Sequence, residues 1–348
     1  MSPQSSKPVK RFLRTIESSL RHRCGVSRSD CLVLAVSGGM DSVAMLHAMH
    51  AISLHDRWNL KLIVAHFAHH FGQRPDEHVQ ADHDFVQQLS ARLNLEFVSG
   101  SGELKEAGNL ENIARKMRYA FMQNVAEAEN ATAIVTAHHA DDQAETMFMR
   151  LARGTSVRGL SAMRWSRPIS KASSVRLIRP MLATTREDIR AYASEISESW
   201  CEDKTNQQSD YLRNYIRHDV MGRLKSRLPN LGVKASQLAD HLHEVTHLLD
   251  ELADELQSKA ICNESEQTVE LDRAVLMLSR RSLVSWMLRR LMLQMDVKAD
   301  RVNSGQMQKL VSSCQKQSGE LREFTFPTVD GGSVDIRIQS KHVQLRRK

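Results

Sequence analysis

The chain has 348 residues but only five cysteines, Cys24, Cys31, Cys201, Cys262 and Cys314, and no Cys-x-x-Cys pair among them. An odd, scattered set of this kind argues against a disulfide framework and against a cysteine-held zinc or iron–sulfur site, and it fits a reducing cytoplasm. No apolar run approaches the ~18 residues a membrane helix needs, so no membrane span is expected. The opening residues, Met1-Ser-Pro-Gln-Ser-Ser-Lys-Pro, are polar and lack the apolar centre of a secretory signal. What remains is ordinary for a globular protein of one large or two moderate domains: 41% hydrophobic and 26% charged residues. The net charge of +7 is compatible with a polyanionic partner such as nucleic acid, without establishing one.

The most informative stretch is Cys31-Leu-Val-Leu-Ala-Val36 followed by Ser37-Gly38-Gly39-Met40-Asp41-Ser42. The apolar run has the length of a buried parallel strand, and Met45, Ala48, Met49 and Ile52 then recur with helical spacing. A glycine-rich turn between a buried strand and a helix start is an anion site. Free backbone N–H groups and the positive end of the helix dipole converge there, and glycine lets a phosphate approach. An ordinary strand–helix turn would explain two glycines alone, but not the whole string. No Gly-Lys-Ser/Thr follows, so this is not a Walker A loop. The string resembles the PP-loop of the N-type ATP pyrophosphatases, which implies a grip on the pyrophosphate of ATP.

Strands and helices alternate around this stretch. After a basic helix carrying Phe12, Leu13, Ile16 and Leu20, strands are expected at Leu60–His66, Leu95–Val98 and Ala133–Ala137, with another at Leu177-Ile178. Helices are expected at Asp82–Leu93, Asn109–Glu129 and Ala140–Leu151, and Thr185 is placed to cap a further one through Asp188. This order predicts an α/β fold with a doubly wound, mostly parallel sheet that binds ligands at the carboxyl ends of its strands.

Past Pro229 the pattern changes. Leu231, Ala235, Leu238, Leu242, Val245, Leu249, Leu252 and Leu256 step by four and three, a heptad seam on one long helix. Packing along its own chain is the simpler reading; a coiled-coil homodimer is the other. A Leu/Met-rich helix at Ser282–Met295 follows, flanked by Arg280, Arg281, Arg289 and Arg290, which either snorkel from a core helix or meet RNA phosphates. The chain closes with an expected hairpin, Glu323–Thr328, a turn at Asp330-Gly331-Gly332, then Val334, Ile336 and Ile338, and a basic end at Gln344–Lys348. The expected domains are residues 1–228, a linking helix over 229–260, and a smaller α+β domain over 261–348.

The second chemical stretch is Thr136-Ala-His138-His139-Ala-Asp141-Asp142-Gln-Ala-Glu145. One acid at a helix start simply complements the dipole. Three acids beside two histidines at a strand end point instead to a corner that binds Mg²⁺ or an ammonium group. In Leu110-Glu-Asn-Ile-Ala-Arg115-Lys-Met-Arg118-Tyr119 the two arginines share a face, which by itself reads as a solvated surface with one Glu111–Arg115 pair worth about 0.3–0.5 kcal/mol.

The succession of strings decides between these readings. Ser-Gly-Gly-Met-Asp-Ser is followed by Leu-Glu-Asn-Ile-Ala-Arg-Lys-Met-Arg-Tyr, Ala-His-His-Ala-Asp-Asp-Gln-Ala-Glu-Thr, Arg153-Gly-Thr-Ser-Val-Arg-Gly-Leu160, Arg179-Pro-Met-Leu, Trp200-Cys-Glu-Asp-Lys-Thr-Asn206 and Tyr211-Leu-Arg213-Asn-Tyr-Ile-Arg217. Over about residues 30–228 this closely resembles the tRNA(Ile)-lysidine synthases. The resemblance implies an adenine nucleotide α hydrolase-like fold, a compact form without the longer C-terminal extension of some members, and the 261–348 region as the tRNA-binding domain. It also implies a two-step ligation with ATP, Mg²⁺, L-lysine and tRNA(Ile) bearing a CAU anticodon. The C2 oxygen of the wobble cytidine displaces pyrophosphate from ATP, and the lysine amine then displaces AMP.

By matched position, Ser37, Gly38, Gly39, Met40 and Ser42 would bind the ATP phosphates and Asp41 would help to place Mg²⁺. Asp142 and Glu145 would hold the lysine amino groups. Arg115 and Arg118 would touch ATP or the activated base, and Arg213 would serve a tRNA or catalytic contact. After the second strand, the family's Val-Asx-His-x-Leu-Arg pattern is replaced by His66-Phe-Ala68-His69-His70-Phe-Gly-Gln-Arg74. His69 matches, but Ala68 stands for the amide or carboxylate, so no nucleotide contact carries over to this loop. The cluster His66, His69, His70, His78 and His83 has irregular spacing and no cysteine partner, and reads as surface or structural histidine rather than a metal site. A PP-loop tRNA thiolase, a free-standing amide synthetase of the same superfamily, and an RNA-binding relative without turnover are the competing readings. The first is disfavoured by the missing cysteine pairs, the second by the Tyr-x-Arg-Asn string.

Overall fold

The computed structural model describes residues 6–70, 76–103, 110–201, 215–298, 302–316 and 321–348. They fall into two compact units, Met1–Leu242 and His243–Lys348.

The first unit is built on a six-stranded sheet: β1 (Cys31–Ala35), β2 (Lys61–His70), β3 (Glu96–Glu103), β4 (Ala133–Val135), β5 (Ser166–Pro168) and β6 (Arg176–Ile178), in the order β3-β2-β1-β4-β6-β5. Every pairing is parallel except β5 with β6. The unbroken apolar run of β1 follows from burial on both faces. Leu32 and Leu34 pack with Met45 and Met49 of α2 (Met40–Ser53), whereas Val33 packs with Ile63, Ile134 and Met122 of α4 (Leu110–Ala128) on the other side. Phe12, Ile16 and Leu20 of α1 (Lys7–His22) join the first face, where Phe12 stacks on Tyr192 of α7 (Arg186–Glu195) at 4.4 Å. Thr185 caps α7 reciprocally with Asp188, as its position in the sequence predicts.

β2 and β3 run past their expected ends. Beyond Ala65, the last partner of β1, the two strands pair only with each other, from His66↔Ser99 to His70↔Glu103. α3 (Asp76–Arg92) likewise begins before the expected Asp82.

The second unit carries a five-stranded antiparallel sheet: β7 (Ile261–Glu264), β8 (Thr268–Asp272), β9 (Arg322–Pro327), β10 (Ser333–Ile338) and β11 (His342–Arg347), in the order β7-β8-β11-β10-β9. Val269, Leu271, Val334, Ile336, Ile338, Val343 and Leu345 alternate inward against helices Arg281–Gln294 and Ser304–Gln315. The hairpin turns at Gly331, whose φ of +98° suits glycine. The basic end is a paired strand rather than a loose tail. Arg273 is buried and donates to the backbone carbonyls of Cys314, Ser313, Gln339 and Lys316. In the Leu/Met-rich helix, Arg289 donates to Val302 O at 3.0 Å and Arg290 to Asp250 O at 2.7 Å. Those guanidinia therefore serve the unit's own packing.

The long helix is Leu231–Ala260. The expected seam is only half realised, because Leu238, Val245 and Leu252 are exposed. Leu256 of the seam is buried, and the other buried positions are small residues, Gly232, Ser236, Ala239, Thr246, Ala253 and Ala260. At Gly232 the approach is close: a Cβ there would lie 2.5 Å from Asp141 Oδ1. No helix among the described residues is long and apolar enough to cross a membrane.

Candidate active site at the carboxyl ends of β1 and β4

The strand order reverses between β1 and β4, and in open parallel sheets that point leaves a crevice above the carboxyl ends. The two chemical stretches of the sequence enter it from its two sides, Ser37–Ser42 after β1 and Thr136–Glu145 after β4.

The Ser-Gly-Gly turn is held open by its own hydroxyls. Ser37 N donates to Ser42 Oγ at 3.2 Å, Ser42 Oγ donates to Gly39 O at 2.9 Å, and the two serine hydroxyls lie 3.1 Å apart. Gly38 has φ +93°, a conformation L side chains rarely take, and its carbonyl accepts from Cys201 N at 3.0 Å. Gly39 caps α2 without a side chain, so the first-turn N–H groups of that helix face the crevice unobstructed by a capping group. Met40 is buried beneath the turn. His66, at the start of the β2 extension, is buried with Nδ1 2.9 Å from Val36 O.

After β4, Thr136 N donates to Ile178 O at 3.0 Å and Thr136 Oγ1 lies 2.9 Å from His138 Nδ1. His139 then caps α5 (Ala140–Ala152): its N–H donates to Asp142 Oδ2 at 3.0 Å, and its Nδ1 accepts from Asp141 N at 3.3 Å. That second bond requires an unprotonated Nδ1, so the ring proton sits on Nε2, which lies 3.5 Å from both Asp41 Oδ2 and Asp142 Oδ2. Burial opposes a charge on this ring. The carboxylates of Asp142, Asp41 and Asp141 outweigh it and raise its pKa above the usual histidine value. His139 thereby couples the two sides of the crevice. Asp41 keeps one oxygen, Oδ1, buried and without a hydrogen-bond partner.

The three acids of α5 separate. Asp142 and Glu145 converge on one guanidinium: Arg217 Nη2 donates to Asp142 Oδ1 at 2.9 Å, and Arg217 Nε donates to Glu145 Oε1 at 2.8 Å. Burial works against the charge of Arg217, but Glu145 and Asp142 reverse the balance and push its pKa above the ordinary arginine value. Asp141 turns the other way, accepting from Arg186 N at 2.9 Å and pairing with Lys225 Nζ at 2.7 Å. It fastens α5 to the start of α7 and to the segment after 215. Arg217 sits on a π-helical turn, Ile216–Met221, an irregularity often found at functional sites. The sequence reading overlooked it, although it closes the same Tyr-x-Arg-Asn string that drew notice to Arg213. Arg213 itself lies outside the described residues.

Arg115 and Arg118 lie in the first part of α4, both half-buried. Arg115 lies over Tyr119, with Cζ 5.0 Å from the ring centroid. Ala68 lies in the β2 extension opposite Ser101.

Residues 7–224 match the model of the PP-loop domain family. A tRNA(Ile)-lysidine synthase of Coxiella burnetii is 37% identical over 69% of this chain and 51% of its own length. One of Bacillus subtilis is 30% identical over 78% of this chain and 55% of its own. The chain thus spans about half the length of the curated relatives it matches. Among solved structures, a U34-tRNA thiolase from Methanococcus maripaludis with its [4Fe-4S] cluster aligns at TM-score 0.56 and 16% identity, covering 68% of this chain and 79% of that one, a likeness of fold alone. With a glycine turn after β1, the crevice at the strand reversal and the matched family model over most of the first unit, the chain belongs to the PP-loop domain family.

Proposed function

We propose that the chain attaches L-lysine to C2 of the wobble cytidine, position 34, of tRNA(Ile) with a CAU anticodon, using ATP and releasing AMP and pyrophosphate by way of an adenylated tRNA. The observation that carries this reading is the juxtaposition across the strand reversal. A phosphate-binding turn ending in Asp41 and a buried acid pair, Asp142 and Glu145, are joined through His139, and that pair already holds a cationic side-chain group. The named relatives support the same substrates.

In the first step, the N–H groups around Gly38, Gly39 and Met40, with the dipole of α2, would fix the pyrophosphate of ATP and leave the α-phosphorus open to the cytidine O2. Asp41 suits Mg²⁺. One buried carboxylate oxygen without a partner, beside phosphates, is the sparse protein donor set this ion ordinarily takes. When bound, the ion would supply charge neutralisation at the phosphates. In the second step, Asp142 and Glu145 would hold the ammonium of lysine. Only the free amine is a nucleophile, so a carboxylate of this pair would also accept the proton it loses. The new C2–N bond forms as the C2–O bond breaks, and the oxygen departs with AMP. Arg217 occupies the acids in this state, so lysine must share or take its place.

Separate measurement of the two half-reactions tests the assignment. Asp41→Ala should abolish formation of adenylated tRNA and hence AMP release. Glu145→Ala should spare adenylation more than lysine transfer. Undiminished AMP release by the first variant, or equal loss of both steps in the second, contradicts the roles given.

A further inference from the structure

Three guanidinia crowd one phenol ring on the α4 side of the first unit. Arg115 lies 5.0 Å and Arg167 5.7 Å from the ring centroid of Tyr119. Behind them Arg179 is only 3% exposed; its Nη1 donates to Arg164 O at 2.7 Å, while its Nε is buried and has no hydrogen-bond partner. Among the described residues none of the three arginines forms an ion pair with a carboxylate. Burial pulls the pKa of Arg179 down to about 10; Tyr119 offsets this in part, while Arg167 and Arg115 add to it. A buried cation, flanked by two others and lacking an acid, is costly unless an anion is shared among them.

Position narrows the anion. Arg167 is on β5, opposite Leu177 of β6, and Arg179 follows the last residue of β6. Ile178, just before Arg179, accepts the N–H of Thr136 at the end of β4. The cluster therefore lies on the carboxyl edge, one to two strands beyond β4, and so about 10–14 Å from the end of β1 at ~4.8 Å per strand. ATP phosphates held after β1 as proposed would fall short of Arg167, whereas an RNA strand with one nucleotide in the crevice would continue along this edge.

We propose that Arg167 and Arg115, beside the Tyr119 ring and with the buried Arg179 adding its charge, form a site for a backbone phosphate of the RNA, adjacent to the nucleotide that reacts in the crevice. This rests on the reading that the substrate is RNA. Guanidinium forks suit the paired oxygens of a phosphodiester.

The test uses the full chain and a CAU anticodon stem-loop, read by fluorescence anisotropy without lysine or turnover. Arg167→Ala should weaken RNA binding roughly tenfold and reduce the slope of log affinity against log salt by about 0.7–0.9, the signature of one lost phosphate contact. Its affinity for ATP should be unchanged. Arg167→Lys should restore the slope. Replacing single linkages next to the cytidine with neutral methylphosphonate should reveal one whose loss costs the wild-type chain about tenfold and Arg167→Ala nothing. Unaltered RNA affinity and slope in Arg167→Ala overturns the proposal, as does loss of ATP affinity with RNA binding intact, which would give the site to the nucleotide. A chain that passes this binding test yet attaches no lysine would sink the ligase reading and leave the phosphate site standing.

Discussion

Arg217 meets Glu145 in a two-point contact, Nε to Oε1 at 2.8 Å and Nη2 to Oε2 at 3.3 Å, and the same Nη2 reaches Asp142 Oδ1 at 2.9 Å. Glu145 is 3% and Asp142 7% exposed, so two buried carboxylates draw charge compensation from this guanidinium. The site is thus built for a cation and already contains one. Lysine bound as proposed would draw on the same oxygens as the Arg217 contact.

The first prediction follows from that competition. Arg217→Gln should lower the lysine concentration needed for half-maximal transfer by about tenfold, equivalent to ~1.4 kcal/mol, because the acids no longer have to release a resident cation. Adenylation of tRNA should continue. An unchanged or higher lysine requirement, in a variant whose melting shows it folded, would make Arg217 an orienting partner of the acids instead of a competitor.

A second prediction separates the two glycines. A Cβ on Gly38 meets nothing closer than Cys201 Sγ at 3.5 Å, so space is not the obstacle; its φ of +93° is. Gly38→Ala should cost about 1–3 kcal/mol of backbone strain or force the turn to re-aim its N–H groups. ATP affinity should fall at least tenfold while RNA affinity holds. Gly39 has φ −71° and an open neighbourhood, its nearest neighbour being Ser37 Oγ at 3.7 Å, so Gly39→Ala should be milder. Equal effects in isothermal titration with ATP would refute the strain argument.

A third concerns pH. Burial lowers the pKa of His47, and Glu198, 3.0 Å from its Nε2, only partly offsets this. The unfolded chain then binds a proton near pH 6.5 that the folded chain binds only at lower pH. Stability from this group is therefore complete at neutral pH and declines as pH falls below about 6.5. His47→Gln should narrow the difference in Tm between pH 7.5 and pH 5.5; an unchanged difference would remove His47 as its source. Glu198, held low by Arg92 and His47 against its burial, acts in a separate window in the acid range.

Thiol reactivity checks both units. Burial raises Cys24 in the first unit and Cys314 in the second to about 12, whereas Cys262 is exposed. Iodoacetamide at pH 8 should label Cys262 in the native protein and reach Cys24 and Cys314 only after denaturant is added. Early labelling of Cys24 would mean that the packing of α1 on the sheet is looser than described.

How much of this was legible beforehand depends on how local the cause is. The strand Cys31–Ala35 announced itself because both its faces are buried, and Thr185 with Asp188 because a cap is written within four residues. The extensions of β2 and β3 carry no such pattern, since each residue there pairs with one neighbour strand and mixes polar with apolar. β5 is three residues with a proline, and β7 is largely exposed, so neither shows a period. Within the site, helical spacing brought acids together but could not say which would face the crevice. The separation of 72 positions between Arg217 and Glu145 hides their contact from any local pattern, as does the close approach of Gly232 on the long helix to Asp141.

The most direct measurement is mass spectrometry of the wobble cytidine after incubating the full chain with ATP, isotopically labelled lysine and CAU-anticodon tRNA(Ile). The account predicts that the labelled lysine appears on that cytidine only when ATP is present, and that Asp41→Ala leaves the base unchanged. An unmodified cytidine with wild-type protein under conditions where ATP and tRNA are both bound, or the same gain with Asp41→Ala, would contradict it.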